Sequence, residues 1–421
     1  MNRPTKIAVI LLSLIVFSYA SVGYVLKSDD EKSYRALTVY GEVLEKVQED
    51  YVEEPNIPKA TAGALHGLLE SLDATSSYMS ALEYAEFKKN AAANPAGQIG
   101  AVLSKRLGLG YVMVVSTFPG SPAEKAGLVP GDILESVAGF TTREMSAEQA
   151  AQMLSGLPGT VVKVGVVKTV LGQTHTDIRE VTRAVAAPVH IAVTKLGGDI
   201  AYIRIPDLEV GKADELRAKL AELDRDGIRK IILDVRGCAA GEDSEGITAA
   251  KLFLASGTIA TLRGQTVSKQ EFSADASKVA WKNSVAVLTS GATSGAAEIL
   301  AGAIGGNHRG EVIGERTFGS ASQQKLIQLD DGSAVNITVA YYYTPAGKAI
   351  PEDGVTPTTE VTTTFDDPAA YSHAENPPLT PGDPKNDPVL GKALELLNSG
   401  KSTAEQQFPM RHGFSRTPAT T

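Results

Sequence analysis

Ile231-Ile232-Leu233-Asp234-Val235-Arg236-Gly237-Cys238-Ala239-Ala240-Gly241 opens on a run that is apolar but for one aspartate, then stops at an arginine and a loop bounded by glycines. A short apolar run without alternation reads as a strand covered on both faces, the kind that sits in a parallel sheet between helices. Its surroundings agree. Ile200 to Ile205 reads as a strand and Ala213 to Leu223 as a helix with Leu216, Leu220 and Leu223 on one face, with Gly227 marking the turn before Ile231. Farther along come a strand over Val285 to Leu288, a small-residue helix over Ala296 to Ile304, and a hairpin turned at Asp330-Asp331-Gly332-Ser333. Strand and helix alternate, so this region is an α/β domain.

The 421 residues are 43% hydrophobic, enough for two or three cores. Forty-nine acidic against 40 basic residues give a net charge of -9, and no basic stripe is interleaved with aromatics, which argues against a nucleic-acid partner. Arg3 and Lys6 precede an uncharged run over residues 7–26, which reads as an export signal. The run is long enough for a membrane anchor, while Ser18 and Ala20 offer small residues for cleavage; both fates stay open. Either way the basic flank places the remainder outside the cytoplasm, in the periplasm or cell envelope.

After the signal, Val43, Leu44, Val47 and Tyr51, then Ala64, Leu65, Leu68, Leu69 and Leu72, recur at helical spacing, so 27–96 reads as an N-terminal helical region. Residues 97–168 form a unit with its own punctuation. Ser121-Pro122-Ala123-Glu124 is a capping box with proline at the first helical position, and Gly127 closes that helix. Pro130-Gly131-Asp132 turns into a strand over Ile133 to Val137; Ser146 and Gln149 cap a second helix with inner residues Ala147, Ala150, Ala151 and Leu154; valines from Val161 to Val167 supply a closing strand. The glycine-flanked stretch Gly97-Gln98-Ile99-Gly100-Ala101 beside that second helix makes a groove. There an extended peptide can add as a strand, and its terminal carboxylate can meet backbone N–H groups. Gln98, Ile99, Gly100, Ala101, Ala150 and Leu154 are the expected peptide contacts.

In order and spacing this unit resembles a PDZ domain of the bacterial protease type, and the resemblance extends along most of the chain. Ser71 to Tyr78 is similar to the Ser-Leu-Asp-Pro-His-Ser-Ser-Tyr element of the C-terminal processing (tail-specific) peptidases, serine endopeptidases of the S41 class. Ile231 to Arg236 resembles their Leu-Asp-Leu-Arg strand. Gly314-Glu315-Arg316-Thr317-Phe318-Gly319 and Tyr342-Tyr343-Thr344-Pro345-Ala346-Gly347 match two further blocks. The resemblance implies an α/β peptidase core over 169–370, crotonase/ClpP-like, with an inserted β-rich PDZ domain. A loose segment would follow over 371–421, carrying a short helix at 388–397.

In that family a serine attacks the scissile carbonyl, a neutral lysine takes its proton, a glutamine orients the lysine, and backbone N–H groups hold the oxyanion. Carried over residue by residue, the Ser-Ala-Ser-Ala-Ser-Glu-Ile box, anchored on Glu298-Ile299, puts Gly295 at the nucleophile, with Thr293 and Ala297 at the flanking serines. Phe-Gly-Lys-Gly-Ser-Val-Gln puts Ser320 at the lysine and keeps only Gln324. Ala296, Ala240 and Gly241 fall at the oxyanion donors. Ser294 is the one candidate replacement nucleophile, but a helical step of about 100° is expected to turn it away and leave it as a helix N-cap. Lys325 is expected on the opposite strand face from Gln324. Cys238 reads as a small buried thiol, the six histidines, His308 among them, form no cluster, and neither a metal nor another cofactor is called for.

The expected function is therefore an exported, catalytically degenerate relative that binds polypeptide C-termini or unfolded proteins, or regulates an active peptidase or adaptor. The alternative is an endopeptidase using Ser294. A homodimer through the terminal helices and membrane attachment through residues 7–26 complete the expected associations.

Overall fold

A computed structural model describes residues 34–92, 97–105, 110–170, 173–351, 353–361 and 386–399. The export signal expected at residues 7–26 lies outside them, and no described helix is long and apolar enough to cross a membrane. By contacts the chain divides into Met1–Ala64 and Leu65–Thr421. The first unit holds a helix over 34–50 on which Leu37, Tyr40 and Val43 are exposed. The helix Ile57–Glu70 crosses the division.

In the second unit the run that begins at Ile231 is the strand Lys230–Asp234, the third of a six-stranded sheet. Ala192–Gly197 pairs antiparallel with Ile200–Arg204; from there Lys230–Asp234, Ser284–Thr289, Glu311–Gly314 and Thr359–Glu360 follow in parallel. One face is covered by the helices Lys212–Arg225, Asp243–Lys251 and Ala296–Gly306, whose Leu216, Leu220, Ile247 and Leu300 join Ile231, Leu233 and Val287 in the largest core. The other face, with Tyr202, Ile232 and Leu288, is covered by Val389, Leu390, Ala393 and Leu397 of the helix Pro388–Asn398. Two-sided burial explains why Ile231-Ile232-Leu233 lacks alternation. The short helix expected at 388–397 is this helix, and it covers one face of the sheet.

A five-stranded sheet stands beside this core. Ala334–Tyr343 pairs with Ser77–Met79 and Thr258–Arg263 along one edge and with Ser322–Gln328 along the other; Gln270–Ser273 adds outside Thr258–Arg263. The Ser71–Tyr78 stretch that broke the helical pattern thus enters a sheet.

The glycine-punctuated unit has its own core of Ile99, Val112, Val114, Leu134, Ala150, Leu154, Val162, Val164 and Val166. Its sheet runs Ala101–Lys105, Val112–Thr117, Ile133–Val137, Val161–Val170, Gln173–Thr182. The last strand places the edge of this sheet past the residue 168 boundary read from sequence. Gln173–Thr182 is mostly polar and half-exposed, so its apolar signal was too weak to mark a strand. The Ser146/Gln149 pair bonds reciprocally as a full capping box, whereas only half of the expected box at Ser121 forms: Ser121 Oγ accepts from Glu124 N at 3.1 Å, but the Glu124 carboxylate takes Gly120 N instead of Ser121 N.

Candidate functional site: a peptidase-like centre and a peptide groove

The centre lies where the loop after Ser284–Thr289 turns into the helix Ala296–Gly306. Gly295 has φ 59° and ψ -120°, a backbone that L side chains adopt only under strain. It is also the helix N-cap, and its N–H donates to Glu298 Oε2 at 3.0 Å and to Ser320 Oγ at 3.0 Å. Ser294 is therefore not the cap. Its Oγ lies 2.5 Å from Ser320 Oγ, so it points into the site. The expected turn of about 100° fails because the step from 294 to 295 is not helical. A Cβ built on Gly295 would come within 3.9 Å of Ser320 Oγ, so positions 295 and 320 face each other.

Glu298, which the sequence reading used only as an anchor, organises the site. Fully buried, its carboxylate accepts from Thr317 Oγ1, from the backbone N–H of Gly319 (2.7 Å), Ser320 (2.8 Å) and Ala321 (3.2 Å), and from Gly295. Burial nonetheless pushes its carboxyl above the ordinary range, against those donors. The signal that could have found it is its place three residues after the N-cap, the carboxylate position of a capping box.

Gln324 does not reach Ser320. Its Nε2 donates to Thr75 Oγ1 (3.0 Å), Ser322 Oγ (3.1 Å) and Thr338 Oγ1 (2.9 Å), and Ser322 Oγ donates to Ser320 O at 3.0 Å. Gln324 thus sits behind the site on a polar cluster with Asp73, whose carboxylate takes Thr75 and Ser76 N–H groups. Lys325 is exposed beyond the bulge at Gln323/Gln324.

The expected oxyanion residues lie on two loops. Ala296 is the first residue of its helix, where backbone donors lack intrahelical acceptors. Ala240 O accepts Leu208 N, and Gly241, at φ 140°, lies so close to Leu208 that a Cβ there would be 2.4 Å from its backbone. Ser294 N donates to Cys238 O at 3.0 Å and Thr293 Oγ1 to Val235 O at 2.9 Å, so the two loops are stitched together. Cys238 is buried, and burial pushes its thiol up, away from the nucleophilic form. His308 lies after the helix that begins at Ala296, with a positive φ of 52°.

At the peptide groove, Ala101–Lys105 is the edge strand of its sheet and the helix Ala147–Leu154 packs on it. Gly100 has φ 73°, and a Cβ there would meet Ser121 Cβ at 2.5 Å. Two expectations need correction. Gly97 N–H is taken by Gly156 O at 2.7 Å, so the glycine loop offers fewer donors than its sequence suggests. Ile99, Ala150 and Leu154 are buried in the unit's own core, which leaves the contacts of the groove to Gln98, Gly100, Ala101 and the flank of the helix.

With this geometry in place, residues 199–361 match the model of peptidase family S41, and residues 114–168 that of a PDZ domain. The chain is a PDZ-bearing member of peptidase family S41. Over 350 residues it is 28% identical to a carboxy-terminal-processing protease of Bartonella bacilliformis, covering 82% of this chain and 78% of that protein. With the carboxy-terminal processing protease CtpA of Bacillus subtilis it shares 31% over 316 residues, 74% of this chain and 66% of the relative. The structure of a photosystem II D1 C-terminal processing protease superposes with a TM-score of 0.65 at 24% identity, over 88% of this chain and 99% of the other, which establishes the shared fold. The S41 core and PDZ unit expected from sequence are both present.

Proposed function

We propose that this S41 member has lost peptide-bond hydrolysis and works as an exported binder of polypeptide C-termini, holding them in its PDZ groove and former active site. One observation carries the reading: Gly295, at positive φ, faces position 320, so a glycine and a serine stand where the family's chemistry needs a hydroxyl and an amine. Ser320 Oγ, bonded to Gly295 N–H and Ser294 Oγ, has no basicity at neutral pH to take a proton from another hydroxyl. The PDZ unit is the part of the molecule that supports tail binding without hydrolysis.

The second reading is an endopeptidase with Ser294 as nucleophile; its support is that Ser294 points into the site. A cleavage assay on an unstructured protein with an apolar C-terminus separates them. The wild type and Ser294→Ala should both be inert, while the Gly295→Ser plus Ser320→Lys double variant should gain turnover. Wild-type cleavage abolished by Ser294→Ala would overturn the proposal. Export rests on residues 7–26 and their basic flank; externally added protease should reach the chain in spheroplasts and not in intact cells.

A further inference from the structure

Taking the PDZ groove as the site for tails, we propose that the body of the protein closes its upstream end, so that only about four C-terminal residues are read. A tail added antiparallel to Ala101–Lys105, with its carboxylate at the glycine loop, would run toward Lys105. Lys105 belongs to that strand, yet its ammonium leaves it: Nζ bonds Arg143 O at 3.2 Å, in the segment leading into the helix Ala147–Leu154, and Glu70 Oε1 at 2.6 Å. Its side chain is only 7% exposed. The strand wall and the helix wall are thus bridged at one end, and the bridge is held by Glu70, a residue outside the PDZ unit. On the helix wall, Gln149 Nε2 donates to Glu83 Oε1 at 2.5 Å, and Glu83 Oε2 accepts Ser80 N at 2.7 Å. Two acidic residues of the body therefore grip the two walls of the cleft at the same end.

From Ala101 to Lys105 an extended chain covers roughly 13 Å, the reach of about four residues. A longer tail must bend away at the bridge and gains no further ladder bonds. Glu70, Glu83, Lys105 and Gln149 are specificity-determining residues for tail length, and a wall of the site belongs to the body.

The test is fluorescence anisotropy on the full chain with peptides of two to eight residues sharing one apolar free C-terminus. In the wild type each residue up to the fourth should tighten binding, by roughly twofold to tenfold. Residues five to eight should change it by less than about twofold. In Lys105→Met and in Glu70→Gln plus Glu83→Gln the affinity should keep rising past the fourth residue, by about fivefold or more in total. A wild-type affinity that climbs through the eighth residue, or the same plateau in variants that unfold at the wild-type urea concentration, would overturn the proposal. Failure of every peptide to bind at any length would instead sink the tail-binding reading itself.

Discussion

Glu298 shows what a single carboxylate can hold. Its two oxygens gather the helix start at Gly295 and the loop 317–321 into one frame, and nothing else in that frame bears a charge. Glu298→Ala should orphan several buried donors and cost about 3 kcal/mol or more in urea denaturation; a loss under about 1 kcal/mol would mean the loop holds itself. Asp243 is the pH-sensitive neighbour. Burial raises its carboxyl to about 6, although the Tyr342 hydroxyl bonds it. A raised pKa means that the folded protein binds the proton more tightly than the unfolded chain. Its contribution is therefore full below pH ~4 and is lost as pH rises through about 6, by at most about 3 kcal/mol. Asp243→Asn should flatten the melting-temperature profile between pH 4 and 7; an unchanged slope would assign it to other groups. The identities at 295, 320 and 324 were legible in the sequence, whereas the direction of Ser294 was not. That direction depends on one positive φ, which breaks the helical phase from which side-chain directions are counted.

At the scale of elements, the helix Pro388–Asn398 is a latch. Asp387 caps it, accepting Leu390 N at 3.0 Å, and also takes Arg236 in a two-pronged pair at 3.0 and 2.6 Å. The same guanidinium holds Asp234, which receives the Tyr202 hydroxyl at 2.5 Å. Arg236 leads directly into the loop from Gly237 to Gly241, so the latch fixes the base of that loop. Asp387→Ala would leave Arg236 half-paired and is expected to cost about 3–5 kcal/mol, and Leu390→Ala about 2–5 kcal/mol. Chemical denaturation followed by tryptophan emission of Trp281 reads both; losses below about 1 kcal/mol would make the helix dispensable. Apolar periodicity made the central helices and strands legible, since their neighbours sit on two faces. The strand Gln173–Thr182 escaped because it is largely polar and mostly exposed. The C-terminal helix was visible, but its burial was not, because six apolar residues in eleven do not reveal which sheet face lacks a cover.

For the whole molecule, the PDZ unit and the peptidase core bury separate clusters of side chains, with no residue common to both. Among the described residues, Ser116 Oγ donates to Gly237 O of the core at 2.5 Å, while Lys105 and Gln149 meet Glu70 and Glu83 of the N-terminal helical region. Apolar burial makes a domain unfold as a unit, and polar contacts at a junction add only about 1 kcal/mol each. Calorimetry should therefore resolve two transitions. Val164→Ala, in the fully buried PDZ core, should lower only one of them. A tail peptide at a hundredfold excess over its dissociation constant should raise that same transition by about 2.7 kcal/mol and leave the other in place. One transition that moves as a whole with both the substitution and the peptide would mean that the junction joins the two cores into a single cooperative body, so that an occupied groove is felt at Gly237.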